Sequence, residues 1–240
     1  MLTARRKDRL ELAAIACRAL GVACENLAAD VQDHQQVLRL ADQTMEKFGR
    51  IDVLINNAGL GFFGPFHQQP WENSVRMLHT NLEAAMALCH AVIPHMLKQN
   101  SGNIVNVSSV VGKRPVAMLA AYSATKFGLW GFSQSLGLEL RPRGIEVCHF
   151  CPTSTDTEFH QLAGMESSNN SKSGQQSADQ VALAIVEAVV KRKREHIMSL
   201  TERLLIKCYL MAPMFTEGLL GLARGKGQSS SSAEHMKAGR

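Results

Sequence analysis

Tyr122 and Lys126 stand four residues apart in the run Tyr122-Ser123-Ala124-Thr125-Lys126. On a helix that spacing sets a phenol and an ammonium on one face, a turn apart. A cation beside a phenol favours the phenolate and lowers the tyrosine pKa from about 10. A tyrosine so tuned can give a proton to a substrate oxygen, or take one from it, near neutral pH. The same spacing also describes an ordinary surface pair, so the neighbours matter. Ser108-Ser109 follows an apolar run, and Ser109 lies thirteen residues ahead of Tyr122. Asn57-Ala58-Gly59 follows another apolar run, and Asn81, a poor helix former, falls inside a helical stretch.

Other reactive residue types carry less. Cys148-His149-Phe150-Cys151 has the C-x-x-C form. A zinc site would need a second pair, and a redox motif of this spacing opens a helix, whereas this one ends the run Ile145-Glu146-Val147. The pair reads as two small apolar residues of a buried strand. The nine histidines show no H-x-x-x-H spacing, so no metal is expected.

The elements that must position these groups follow from periodicity. Helices are expected over Lys7–Leu20, Asp33–Phe48, Trp71–Lys98 (bent or ended near Pro94), Ala120–Leu140 and Ala178–Val190. Strands are expected within Val22–Ala29, at Ile51–Ile55 as a buried parallel strand, and at Ile104–Val107, Ile145–Phe150 and Glu195–Ser199. Strands alternating with helices predict a parallel α/β fold with helices on both faces. In such a fold the site lies beyond the carboxyl ends of the strands, at Asp30, Asn57–Gly61, Ser108–Gly112 and Cys151–Thr157.

The chain has 240 residues, 45% hydrophobic and 20% charged, which suits one sizeable core. A single domain is expected over 1–227, with 228–240 a disordered polar tail. The longest uncharged apolar run, Ala84–Leu97, holds two His and a Pro and has only 14 residues, too few for a membrane span. The opening Met1-Leu2-Thr3-Ala4-Arg5-Arg6-Lys7 has no apolar leader, and the cysteines are not spaced in pairs, so a reducing, cytoplasmic setting is expected. With no RNA-reading signature and only two Trp and two Tyr to stack on bases, no nucleic-acid partner is expected, and the net charge of +5 suits an anionic ligand or membrane surface instead. The apolar segment 202–223 suits a pocket lid, a dimer face or peripheral contact with a membrane surface.

Taken in order, Asn56-Asn57-Ala58-Gly59, Asn81, Ser109, Tyr122-x-x-x-Lys126 and Pro152 resemble the short-chain dehydrogenase/reductase family, over about residues 2–200. The resemblance implies a Rossmann-like parallel sheet and hydride transfer between a nicotinamide cofactor and a small-molecule carbonyl or alcohol. It implies Tyr122 as acid/base and Lys126 as the residue that tunes Tyr122 and holds the nicotinamide ribose. Ser109 would polarise the substrate oxygen, and Asn81 would hold a water that links Lys126 to solvent. Asp30 and Val31 would contact the adenine, and Asn57, Ala58 and Gly59 would line the cofactor and brace the sheet. Val107 would lie under the nicotinamide, with Pro152 beside it and Thr157 at the carboxamide. Arg5 and Arg6, where NAD-preferring members carry an acid, favour a 2′-phosphate and hence NADP(H) over NAD. The two longest helices resemble those through which family members form homo-oligomers.

Two departures accompany the likeness. Thr153 stands where the family usually has glycine after Pro152, which crowds the nicotinamide end. The family's first strand, Gly-rich turn and first helix have no counterpart here. That turn supplies the amides that hold the cofactor pyrophosphate. Its loss makes the fold an N-terminally truncated one, with an opened sheet and an unpaired apolar edge. The alternative function is therefore a non-catalytic fragment or binding partner that cannot hold the cofactor.

Overall fold

The computed structural model describes residues 1–155, 158–159, 163–164 and 176–216. They fall into two compact units, one ending at Met198 and one beginning at Ser199. Thr157, the stretch 165–175 and the tail 228–240 lie outside the described residues.

The first unit alternates strand and helix as the periodicity predicts. In order it runs β1 (Leu2–Ala4), α1 (Lys7–Ala19), β2 (Asn26–Ala28), α2 (His34–Phe48), β3 (Val53–Asn56) and α3 (Trp71–Leu78). It continues with α4 (Ala84–Gln99), β4 (Gly102–Val107), α5 (Ala120–Leu140), β5 (Ile145–Cys151), α6 (Ala178–Val190) and β6 (Glu195–Ile197). Helix ends carry local signals. The Asp33 carboxylate accepts from the Gln35 and Gln36 amides at 2.9 and 3.2 Å, and Gly49 closes α2 with φ 72°. Ser177 and Gln180 form a reciprocal cap that opens α6.

Strands β3, β4, β5 and β6 pair in that order, all parallel. Helices cover both faces of β4 and β5. On one face Ile104, Ile145 and Val147 pack under α2, α4 and α5 through Ala41, Cys89, Val92, Met96 and Leu136. On the other, Val105, Val107, Cys148 and Phe150 pack under Ile185 and Ala188 of α6. This two-sided burial explains why β5 is apolar almost without alternation.

Two expectations change. The run Ile51–Ile55 reads as a fully buried strand, yet Val53 and Ile55 of β3 are 39% and 46% exposed. The reason is topological: β1 and β2 form a separate two-stranded parallel sheet, so β3 is the edge of its own sheet. The second change concerns the helix expected to bend or end near Pro94. It runs through Pro94 to Gln99, and its irregularity lies earlier, in a π-helical turn over His79–Glu83 between α3 and α4. A π turn admits one extra residue per turn, and here that turn carries Asn81.

The second unit begins with α7 (Leu200–Met211), opened by the Ser199 hydroxyl, which accepts from the Glu202 amide at 3.3 Å. Among the described residues no helix is long and apolar enough to cross a membrane.

Candidate active site

Helix α5 buries Tyr122, Lys126, Leu129, Ser133, Leu136 and Leu140, a 4-3-4-3-4 stripe that faces the sheet. The stripe brings Tyr122 and Lys126 to the carboxyl ends of β4 and β5. Gly112 allows this approach, because a Cβ there would lie 2.7 Å from the Lys126 carbonyl oxygen. The turn Val110–Gly112 therefore rests directly on α5 and holds Ser109, at the end of β4, against the tyrosine.

Within this arrangement the Ser109 side chain accepts from the Val111 amide at 3.4 Å and lies next to the Tyr122 phenol, favouring its ionised form. The Lys126 ammonium lies 5.7 Å from the Tyr122 ring centre and donates to the Val107 carbonyl at 3.1 Å. Lys126 is 3% exposed, and burial pulls its pKa down to about 8. Tyr122 is nearly as buried. Desolvation pushes its pKa up, with Ser109 acting in the opposite direction. This corrects the expectation of a lowered tyrosine pKa. Withdrawal from water penalises the phenolate more than its neighbours favour it, and Lys126 is itself drawn towards neutrality.

Asn81 is 1% exposed and fully engaged. Its amide nitrogen donates to the Leu60 carbonyl at 2.8 Å and to the Thr125 hydroxyl at 3.1 Å, while its oxygen accepts from the Leu60 amide at 2.8 Å. Its side chain thus ties the loop after β3 to α5. Gly59 passes close by: a Cβ there would come 3.5 Å from Asn81 Oδ1 and 3.7 Å from Lys126 Nζ.

The sheet is braced by a residue that sequence reasoning missed. Asn57, Ala58 and Gly59 are exposed at the end of β3. The buried brace is Asn56, which donates to Asn106 Oδ1 at 2.8 Å, and Asn106 donates to Ser133 at 2.9 Å. Strand pairing of Asn56 with Asn106 makes this contact, and alternation in β3 alone gives no sign of it. Thr125 was also missed. It is fully buried, accepts from Asn81 and donates to the Tyr122 carbonyl at 2.8 Å.

The remaining expected residues spread along the same edge. Val107 ends β4, and Pro152 follows β5. Asp30 follows β2, where its carboxylate accepts from the Gln32 amide at 3.0 Å, with half-buried Val31 beside it. Arg5 and Arg6 are exposed between β1 and α1. The structure does not describe Thr157. Cys148 and Cys151 are buried free thiols, as a strand reading requires, although Cys151 also lies 3.5 Å from His149 Nδ1. Phe159 packs on Tyr122 with ring centres 5.7 Å apart.

A helix-borne tyrosine and lysine, with a serine on the tyrosine and a buried asparagine behind, can move a proton to or from an oxygen held between Ser109 and Tyr122. Residues 1–167 match the family model described as short chain dehydrogenase. The chain belongs to the short-chain dehydrogenase family. It is 37% identical over 133 residues to 3-ketodihydrosphingosine reductase of Bacteroides thetaiotaomicron, covering 55% of this chain and 49% of that protein. It is 32% identical over 193 residues to ketoacyl reductase HetN of a Nostoc species, covering 77% of this chain and 64% of the relative. The chain thus spans about half to two thirds of the length of these relatives. Among solved structures, a short-chain dehydrogenase from Sphingobium yanoikuyae in complex with NADPH superposes with a TM-score of 0.75. It shares 32% identity, over 95% of this chain and 84% of that one. An alcohol dehydrogenase from Thermococcus sibiricus complexed with 5-hydroxy-NADP gives a TM-score of 0.73 at 25% identity, over 82% of this chain and 83% of that one.

Proposed function

We propose that this chain carries the catalytic centre of an NADP(H)-linked oxidoreductase that interconverts a carbonyl and a secondary alcohol. The observation that carries this reading is the placement of Tyr122 beside a buried Lys126, which donates to the Val107 carbonyl at the end of β4, with Ser109 next to the phenol. Tyr122 gives its proton to the substrate oxygen in reduction and takes it back in oxidation, while the Ser109 hydroxyl holds the same oxygen. Asn81 and Thr125 keep α5 and the loop after β3 in register, so Tyr122 and Lys126 stay placed. The nicotinamide, when bound, supplies or accepts the hydride at the substrate carbon.

The close approach at Gly59 fits such a cofactor, since backbone without a side chain borders Lys126 there. Lys126 has one carbonyl acceptor and can turn its other hydrogens to ribose hydroxyls. Arg5 and Arg6 suit the 2′-phosphate, Asp30 and Val31 the adenine, Asn57, Ala58 and Val107 the nicotinamide half, and Pro152 and Thr157 the carboxamide end. The NADP(H)-bound solved relatives support the choice of cofactor. An apolar ketone is the favoured substrate. Met77, Val111, Leu119, Leu60 and Phe62 pack around Tyr122, and two relatives are named for ketodihydrosphingosine and ketoacyl substrates.

Three observations bear on partners and on a second reading. A groove of about 730 Å³ on α3, α4 and α5, lined by Val75, Leu78, Leu82, Met86, Ile93 and Phe132, supports pairing with a second copy. Exposed Leu204, Leu210 and Met211 on α7 support peripheral contact with an apolar surface such as a membrane. The division of the strands into two sheets favours a non-catalytic binding role. Turnover decides between the two functions. The chain is incubated with NADPH and a panel of ketones, and loss of NADPH absorbance is followed. Ketone-dependent oxidation is expected, and no turnover together with no binding of NADPH at millimolar concentration would leave the non-catalytic reading.

A further inference from the structure

The carboxylate of Glu158 bridges two arginines that belong to the other end of the sequence. Its Oε2 accepts from Arg6 Nη1 at 2.9 Å and its Oε1 from Arg9 Nη1 at 2.5 Å. One oxygen therefore goes to each guanidinium, as two oxygens of a phosphate monoester would. Arg6 immediately precedes α1 and Arg9 lies in its first turn, where the helix dipole also favours an anion. The two hydrogen bonds hold the Glu158 carboxyl below its ordinary pKa, Arg9 more than Arg6, so it is an anion at neutral pH.

Glu158 is not a loose surface carboxylate. Its neighbour Phe159 packs with Met77, Val111, Leu119 and Tyr122, and lies against Gly61 so closely that a Cβ there would come 2.8 Å from the ring. That packing fixes the backbone on which Glu158 stands. The same two residues thus reach from the catalytic phenol to the arginine pair.

We infer that Glu158 is a built-in competitor for the cofactor's 2′-phosphate, with Arg9 joining Arg6 as a phosphate-binding residue. Bound phosphate displaces the carboxylate, and the strength of this displaced contact sets how strongly the protein discriminates nucleotides with a 2′-phosphate from those without. The inference rests on the NADP(H) reading. All three side chains are about half exposed, so the competition is modest and sensitive to salt.

The test compares the full chain with its Glu158→Gln and Arg9→Gln variants by isothermal titration. The ligands are 2′,5′-ADP and 5′-AMP, which differ in the 2′-phosphate alone. Glu158→Gln is expected to bind 2′,5′-ADP about three- to tenfold more tightly than the parent and 5′-AMP equally. Arg9→Gln is expected to weaken 2′,5′-ADP by a similar factor and leave 5′-AMP unchanged. If the parent prefers 2′,5′-ADP but Glu158→Gln binds it no more tightly, the competitor role is overturned and the NADP(H) reading stands. Equal or absent binding of both ligands by all three proteins removes the NADP(H) reading, and this inference with it.

Discussion

The region that bears Tyr122 and the region that bears Arg6 are built in opposite ways. Strand β5 has seven residues, all buried, and lies between β4 and β6 under helices on both faces. Strands β1 and β2 have three residues each, none of them buried, in a sheet of their own. Tyr122 and Lys126 are therefore desolvated, with shifted pKa values and a fixed hydrogen bond from Lys126 to Val107. The arginines are exposed and held by ion pairs that a ligand can exchange. Chemistry that depends on a perturbed acid needs the first environment. Recognition of a charged, diffusing ligand works in the second.

Four measurements would break or sharpen this contrast. Tyr122→Phe removes the proposed proton donor to the substrate oxygen. It is expected to lower the rate of ketone reduction about a thousandfold, or roughly 4 kcal/mol of barrier, while nucleotide affinity measured by titration stays within about twofold. Turnover equal to the parent's would end the acid/base assignment.

Next in size is packing. Phe150→Ala in β5 empties a fully buried site and is expected to cost about 3–5 kcal/mol in urea unfolding. Leu27→Ala in half-buried β2 is expected to cost about 1 kcal/mol. Equal losses would mean that the two sheets share one degree of burial, contrary to the contrast drawn.

Stability should also depend on pH through Lys126. Its folded pKa of about 8 lies below the ordinary 10.5, so between these values the unfolded chain binds more protons than the folded one. Stability then rises with pH across that window, by about 3 kcal/mol over its whole width. Tyr122 acts in the other direction above about 10, because burial keeps the folded phenol protonated after the unfolded one has ionised. Urea midpoints at pH 7.5 and 9.5 should rise for the parent relative to Lys126→Met, and a constant difference would show that Lys126 stays charged in the fold.

The smallest effect tests the brace. Asn56→Ala leaves Asn106 Oδ1 buried without its donor and is expected to cost about 1–3 kcal/mol in the same unfolding assay. A loss below a few tenths would mean that the Asn56–Asn106 contact is replaced by water.

Much of this was legible in the chain. Tyr122 and Lys126 fall on one face once the helix forms, because about four residues make one turn. The helices expected over Ala120–Leu140 and Ala178–Val190 match the observed ones residue for residue. The buried character of Cys148 and Cys151 followed from the strand they end. Other features needed partners distant in sequence. Asn56 and Asn57 are identical in type and adjacent, and only the pairing of β3 with β4 decides that Asn56 meets Asn106. Val53 and Ile55 look like core residues until the edge position of β3 exposes them.

The sequence by itself determined that Tyr122 and Lys126 share one helical face and that parallel strands alternate with helices, because spacing and hydrophobic period are local properties. The tertiary structure decided how acidic those groups are and which contacts they keep. Burial sets the pKa values of Tyr122 and Lys126, and it depends on what packs over α5. The meeting of Glu158 with Arg6 and Arg9 joins residues about 150 positions apart, a contact that no local rule encodes.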